Sequence, residues 1–519
     1  MNEKEHVTRA AGVVGFFTFL SRVLGLARDI LIANFFGSGM MADAFFVAFR
    51  IPNLLRRLFA EGSFSVAFIP VFTEYLQTRS KEEAFVLARA VSTFLVLILT
   101  GITILGIVFS PLIVRIIAPG FGGMGEKYAL TVLLTRIMFP YIFLVSLVAL
   151  FMGILNSLEH FAAPAAAPVF LNLSMIAALV FLAPSMRTPT VGLAIGVVVG
   201  GVIQVALQIP FLMEKGLSFV PRWNPNHPAL RRIGVLMLPT LFGSAIYQVN
   251  QLVGTLLASL LREGSVSYLY YADRLVQFPL GVFAIAISTA VLPSLSREAA
   301  QRDLDGLKET LSHALRLTMF ITIPAMMGLI VLREPIIRLL FQRGAFDAFT
   351  TIMTAQALLF YSLGLWAFAA LRVFVIAFYS LQDTKTPVKV AAVAMLANIG
   401  LSLALMGPLK HGGLALALSL ASTLQLCMLI FLLRRRLGGI EGWVVVGSMA
   451  RSFISSLIMG ICIYFIASRV FVDHSSQGVL GLATGLLLAI GTGVIVYGIS
   501  AKVLGSRELT SIFRALKVS

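Results

Sequence analysis

Cysteine is nearly absent. Cys427 and Cys462 are the two in 519 residues, and both lie inside apolar runs, which leaves no disulfide framework and no thiolate metal site. The six histidines show no ligand spacing, so no metal and no cofactor are expected. Acidic side chains are scarce too, 23 against 40 Lys and Arg. Charge of either sign makes up only 12% of the chain, about half the soluble average. A GxxxxGK[ST] loop is missing, which excludes ATP as a direct driver, and no Ser/His/Asp set shares a plausible pocket. GFGGMG at 120–125 formally matches GxGxxG, but it follows an apolar run rather than a strand. The net charge of +17 comes without any RNA- or DNA-binding motif, so no nucleic-acid partner is expected.

What is present is apolarity. Hydrophobic residues are 59% of the chain and the mean hydropathy is +0.95. Runs of 18 or more apolar residues recur along it, the mark of an all-α polytopic membrane protein. Run lengths place about fourteen spans near 8–36, 42–75, 88–117, 128–157, 161–183, 190–213, 233–261, 267–293, 314–340, 348–380, 387–407, 412–433, 443–468 and 478–501. The N-terminus resembles a signal peptide, but Arg22, Arg28 and Asp29 interrupt the apolar stretch, so a retained first helix is expected. Alternate loops carry about 22 Lys and Arg on one side and about 8 on the other, which predicts a cytoplasmic location for both termini. The charged stretch 294–312 reads as a surface helix linking two bundles.

Against this background the stretch Ser21–Tyr75 is unusual. Two spans joined near GSGM carry Arg22, Arg28, Asp29, Asp43, Arg50, Arg56, Arg57 and Glu61. A charge near the bilayer centre costs at least about 2.5–3.5 kcal/mol, so such residues face protein or a wet cavity. Asp43, Arg50 and Arg57 are spaced by seven, with Glu61 four further on, which puts them on one helical stripe. Arg22 and Asp29 are also seven apart. Arg28 and Arg56 fall off the stripes unless Gly25 and Pro52 shift the helical phase. Structural ion pairing is the bland reading. Five arginines against three acids leave positive charge that calls for an anion, which favours a cationic cavity.

An internal repeat organises the rest. FIPVFTEY at 68–75 matches VLPSLSRE at 291–298, and SPLIVRIIAPGF at 110–121 resembles REPIIRLLFQRGAF at 333–346. NSLEHFAAP at 156–164 matches YSLQDTKTP at 379–387, and VGLAIGVVVGGVIQ at 191–204 matches GGLALALSLASTLQ at 412–425. The offsets are 221–224 residues, in unchanged order. A six-helix unit enters the membrane twice from the same side, predicting two lobes in a parallel pseudo-two-fold repeat with the substrate site between them. The lobes are 1–215 and 216–438, followed by 439–519 with two further spans and a cytoplasmic tail. In the second lobe Tyr270, Asp273, Arg274 and Gln277 share one face, with Tyr247, Asn250 and Gln251 on the preceding span. Arg136 and Arg372 are lesser candidates. The glycines Gly192, Gly196 and Gly200 indicate close helix packing.

SRVLGLARD at 21–29, DAFFVAFRIPNLLRRLFAEGSFSVAFIP at 43–70, APGF at 118–121, YYADRLVQFPLGV at 270–282, LPSLS at 292–296 and YSLQDTKTPVK at 379–389 resemble the MurJ (MviN) family. These are lipid II flippases of the multidrug/oligosaccharidyl-lipid/polysaccharide (MOP) exporter superfamily. The resemblance is effectively full length. It implies transfer of undecaprenyl-pyrophosphoryl disaccharide-pentapeptide from the cytoplasmic to the periplasmic leaflet of the bacterial inner membrane, by alternating access. It also implies cavity arginines at Arg22, Arg28, Arg56 and Arg274, with Asp29, Asp43, Arg57 and Glu61 nearby, and a lipid-tail groove formed by the last two helices. Stripe geometry favours Arg57 over Arg56, and the two readings stay side by side. Membrane lipids and cell-wall synthesis or division proteins are the partners implied. A membrane potential or an unidentified coupling ion would supply the energy. Two transporters remain as alternatives, a flippase for another lipid-linked glycan and a drug or metabolite antiporter of the superfamily. A scaffold in the division machinery is the non-transporting one.

Overall fold

A computed structural model describes residues 3–56, 64–122, 125–224, 226–439, 442–471 and 478–511, with the side chains of 3–11, 55, 239–240 and 242–244 left aside. Helices are the only regular elements among them. That follows from the solvent: in hydrocarbon each backbone N–H and C=O must be satisfied inside its own segment. The chain divides into two compact units, 1–266 and 267–519.

Among the described residues the first unit holds ten α-helices: α1 (Glu3–Phe36), α2 (Met40–Leu55), α3 (Phe64–Thr78), α4 (Lys81–Val108), α5 (Ser110–Ile117), α6 (Gly125–Met138), α7 (Pro140–Ser157), α8 (Ala162–Ala177), α9 (Pro189–Glu214) and α10 (Pro228–Ser259). Its core is a ladder of stacked rings on α3. Phe64, Phe68 and Phe72 lie 5.3 Å apart in sequence along one face, packed against Leu150, Ile154 and Leu155 of α7. Stacking at i, i+4 is what helical geometry allows for rings on one face. Gly192, Gly196 and Gly200 of α9 sit directly on α8 and the turn after it. A methyl group at Gly196 would strike Ala178, and one at Gly200 would come within 2.8 Å of Leu171.

The second unit holds α11 (Ser265–Pro279), which begins at the boundary, then α12 (Ile285–Ala300), α13 (Leu304–Val331), α14 (Arg333–Phe341), α15 (Ala348–Ser362), α16 (Leu365–Ser380), α17 (Lys385–Leu409), α18 (His411–Leu437), α19 (Gly442–Val470) and α20 (Val479–Val503). A π-helical turn, Leu280–Ala284, joins α11 to α12 just after Pro279, where proline removes one backbone donor. The last two helices bury Met459, Ile463, Leu486 and Tyr497 against Phe320 of α13.

Ten helical segments among the described residues are long and apolar enough to cross a membrane, and α15–α16, bent by 43°, is one more. The remaining predicted spans coincide with α1, with α2–α3 and with α10. The observed count is therefore compatible with fourteen without fixing that number. Two predicted spans were too long. Residues 110–117 and 333–341 form separate short helices, α5 and α14, after the spans α4 and α13. The predicted surface helix at 294–312 is also absent. Its residues end α12 and begin α13 around a turn where Arg302 takes φ 58° and Asp303 accepts the Gly306 amide at 2.9 Å. An aspartate so placed caps a new helix, which splits the charged run between two spans.

The repeat is visible in the elements themselves. The series α4–α5–α6–α7 and α13–α14–α15–α16 have matching lengths, 28, 8, 14 and 18 residues against 28, 9, 15 and 16. The turns after α7 and α16 agree in detail. Glu159 and Gln382 both adopt left-handed backbone, φ 59° and 60°, and the amides of His160 and Asp383 return to the carbonyls of Leu155 and Phe378 at 2.8 and 2.9 Å. This is a Schellman closure built without glycine.

Candidate functional site

In the first unit Arg28 and Asp29 of α1 and Asp43, Arg50 and Arg56 of α2 all have polar partners. Arg28 is 7% exposed and Asp29 2%. The Arg28 guanidinium donates from Nε and Nη2 to Asp29 Oδ1 at 3.0 and 2.8 Å, and from Nη1 to Asn172 Oδ1 of α8 at 2.8 Å. The Asn172 amide nitrogen donates back to the Ser21 carbonyl on α1 at 3.0 Å. Gly25 faces the Asn172 amide, where a methyl group would make an ordinary contact at 3.7 Å. Arg22, one turn and a half from Arg28, is exposed, whereas Asp29, predicted on its face, is buried.

On α2 the charges find different partners. Asp43 is 1% exposed and Lys127 of α6 is 2% exposed. They form an ion pair of 2.8 Å, and the same carboxylate oxygen accepts the Gly264 amide at 2.8 Å. Lys127 also lies 4.2 Å over the Phe121 ring. Half-buried Arg50 donates to the Gln251 side chain of α10 at 2.7 Å. Arg56 is half-buried and donates to Asn53 Oδ1 at 3.0 and 3.1 Å. Arg57 and Glu61 lie outside the described residues. In the second unit Arg274 donates to the Tyr270 hydroxyl at 2.8 Å and lies 4.9 Å over that ring. Gln277 donates to Asp273 at 3.5 Å. Arg136 donates to Ser110 at 3.0 Å, a tie between α6 and α5.

Lys127 and Asn172 are two buried polar residues of the site that the sequence patterns above do not single out. A lysine two residues into a helix, opposite a lone aspartate on another span, was the available signal for the first. For Asn172 the signal was an amide in the middle of an apolar run, where polar groups are costly unless partnered.

Buried Asp29 and Asp43 each have a cation at hydrogen-bond distance, Arg22 is exposed, and Arg50, Arg56 and Arg274 donate to the amide and hydroxyl groups named above. Guanidinium groups stay charged at any working pH and bind phosphate oxygens in pairs.

The family model for the lipid II flippase MurJ matches residues 32–483. The chain belongs to that family. The MurJ match takes in Asp43, Arg50, Arg56, Asp273 and Arg274 and begins after Arg22, Arg28 and Asp29. A probable lipid II flippase MurJ of Vibrio cholerae is 43% identical over 425 residues, 80% of this chain and 81% of its own length. A solved lipid II flippase MurJ in an inward closed conformation superposes with a TM-score of 0.79 at 29% identity, covering 98% of this chain and 99% of that one. An inward-facing multidrug resistance MATE transporter of the MOP superfamily shares the fold at a TM-score of 0.70 and 17% identity, covering 80% and 94% of the two chains. MurJ membership therefore comes with a fold that drug transporters also use.

Proposed function

We propose that this protein is a lipid II flippase, moving the undecaprenyl-pyrophosphate-linked disaccharide-pentapeptide across the bacterial inner membrane for cell-wall synthesis. The observation that carries this reading is membership of the MurJ family together with Arg22, Arg28, Arg50, Arg56 and Arg274 on helices of an otherwise apolar chain. A pyrophosphate is the anionic part of that substrate, and planar bidentate donors match its oxygens. Arg22, Arg28, Arg56 and Arg274 are the proposed pyrophosphate-binding residues, with Arg57 an undecided neighbour of Arg56. Asn172 and Asp29 position Arg28, so that substrate oxygens exchange with a preformed pair instead of ordering a loose side chain. The chain makes and breaks no covalent bond. Its driving force is a membrane potential or ion gradient, since moving one charge across 100 mV is worth about 2.3 kcal/mol. The termini lie in the cytoplasm, and cell-wall synthases or division proteins are its proposed neighbours.

The test is replacement of Arg22, Arg28 and Arg274 by Ala, singly and together, in cells depleted of the native flippase. Protein levels in the membrane stay near normal, while lipid II reaching the outer leaflet, read by an externally added probe, falls to background. Normal lipid II exposure with all three replaced would sink the proposal.

A further inference from the structure

Helix α10 packs within the first compact unit. Among the described residues it is tied there at three levels. At one end Ala229 and Ile233 join the core around Phe72 and Tyr75 of α3, and Arg232 pairs with Glu74 at 2.8 Å. Both side chains of that pair are about half exposed, so it contributes little. At the other end Gly120 lies so close to Ser259 that a methyl group would overlap the Ser259 carbonyl. Between these ends Arg50 of α2 reaches across. Its Nη2 donates to the Gln251 side-chain oxygen at 2.7 Å and to the Gln251 carbonyl at 3.2 Å.

The Gln251 amide is oriented for this contact. Arginine has donors only, so the amide oxygen must face it, and the amide nitrogen donates to the Tyr247 hydroxyl one turn back at 3.2 Å. Thr255, one turn on, donates to the same Gln251 carbonyl at 3.0 Å. Tyr247 is 48% exposed and Arg50 and Gln251 are half-buried, so the pair is open to a ligand. An amide oxygen is a replaceable partner for a guanidinium, because a phosphate group brings full negative charge and a second parallel hydrogen bond. We infer that Arg50 and Gln251 form a latch that substrate releases. The pyrophosphate takes Arg50 from Gln251 and frees the middle of α10 from α2, leaving the helix held at its two ends. The latch rests on the flippase reading above and adds to it a route from binding to movement, since a ligand shifts a conformational equilibrium only through contacts that differ between the two states. Arg50 and Gln251 then have opposite roles at one site. The first binds the anion, and the second competes with it.

The experiment uses the purified full-length protein in detergent, with lipid II as the ligand and undecaprenol as the uncharged control. Affinity is read by native mass spectrometry, and the latch by hydrogen–deuterium exchange across residues 245–256. Lipid II, and not undecaprenol, speeds exchange of that segment in the wild type. Gln251→Ala removes the competitor, so lipid II binds about fivefold tighter, the worth of one hydrogen bond, and exchange is fast before ligand is added. Gln251→Glu pairs its carboxylate with Arg50, so lipid II binds at least about fivefold more weakly and the segment stays protected. The two variants move affinity in opposite directions, and Gln251→Glu keeps the shape of the side chain if Gln251→Ala folds poorly. Weaker binding by folded Gln251→Ala, which a merely structural role would give, overturns the latch. Unaltered affinity in Gln251→Glu, or lipid II binding that leaves wild-type exchange unchanged, overturns it too. Those outcomes leave the flippase reading standing, whereas wild-type protein that does not bind lipid II overturns both.

Discussion

At the scale of residues, Asp43 and Lys127 show how a membrane protein keeps a full charge pair in its interior. The pair is 2.8 Å long, closed from solvent, and shared with the Gly264 amide. Removing one partner strands the other, at a cost of about 3–5 kcal/mol, whereas replacing both is far cheaper. Lys127→Ala therefore lowers the yield of folded protein sharply, and Asp43→Asn/Lys127→Met recovers much of it, measured as monodisperse protein after extraction. A double variant that folds but fails to flip lipid II assigns Asp43 to transport, and one that flips assigns it to structure. Asp383 makes a pH prediction outside the spans. Burial pushes its carboxyl up, but the Thr386 amide and hydroxyl, at 2.9 and 2.8 Å, and Arg436, at 2.8 Å, outweigh burial, so its pKa is lowered. A depressed carboxyl contributes stability that is present above the ordinary carboxylate range and lost as pH falls through the folded value. Asp383→Asn costs about 1 kcal/mol at neutral pH, seen as a lower Tm in detergent, and the difference from wild type shrinks toward pH 3.

At the scale of elements, the appended helices are more than an accessory to the repeat. The Tyr497 hydroxyl donates to the Phe320 carbonyl of α13 at 2.6 Å, and Arg316 of α13 meets Glu508, just beyond α20, at 3.4 Å. Glu508 is 3% exposed and also accepts the Ser506 hydroxyl at 2.8 Å. Truncation after Gly439 removes these partners, so the shortened protein inserts but melts several degrees lower. If α19 and α20 hold the polyprenyl tail, lipid II translocation at matched membrane levels falls with truncation, while Glu508→Gln lowers Tm and leaves translocation near normal. Undiminished translocation by the truncated protein would remove the tail-groove reading and leave the arginines untouched. The matching turns after α7 and α16 offer a check on the repeat. Glu159→Gly and Gln382→Gly each relieve left-handed backbone, where a side chain is costly, so both raise stability by a similar fraction of a kcal/mol.

At the scale of the whole molecule, topology is the property to test. Reporter fusions at Arg79, Trp223, Gln301 and Arg435 report cytoplasm, and those at Arg187 and Lys410 periplasm. One inverted reading within the first twelve spans would break the even-numbered unit on which the parallel repeat depends. Much of this level is legible in the sequence because it is set by local chemistry. Apolar run length selects spans, since a helix must satisfy its own backbone in lipid, and Lys and Arg in short loops bias the side each loop takes. The close packing of Gly192, Gly196 and Gly200 and the unusual charge of α1 and α2 are readable for the same reason. The tertiary structure decided which charges meet. Spacing by seven places Arg22 and Asp29, and Asp43 and Arg50, on shared stripes but names no partner: Asp29 takes the adjacent Arg28, Asp43 takes Lys127, 84 residues away, and Arg50 takes Gln251, 201 residues away. A helical wheel gives a side chain's direction on its own helix, but the partner in that direction belongs to another helix. Its identity depends on crossing angles and register, which only packing sets.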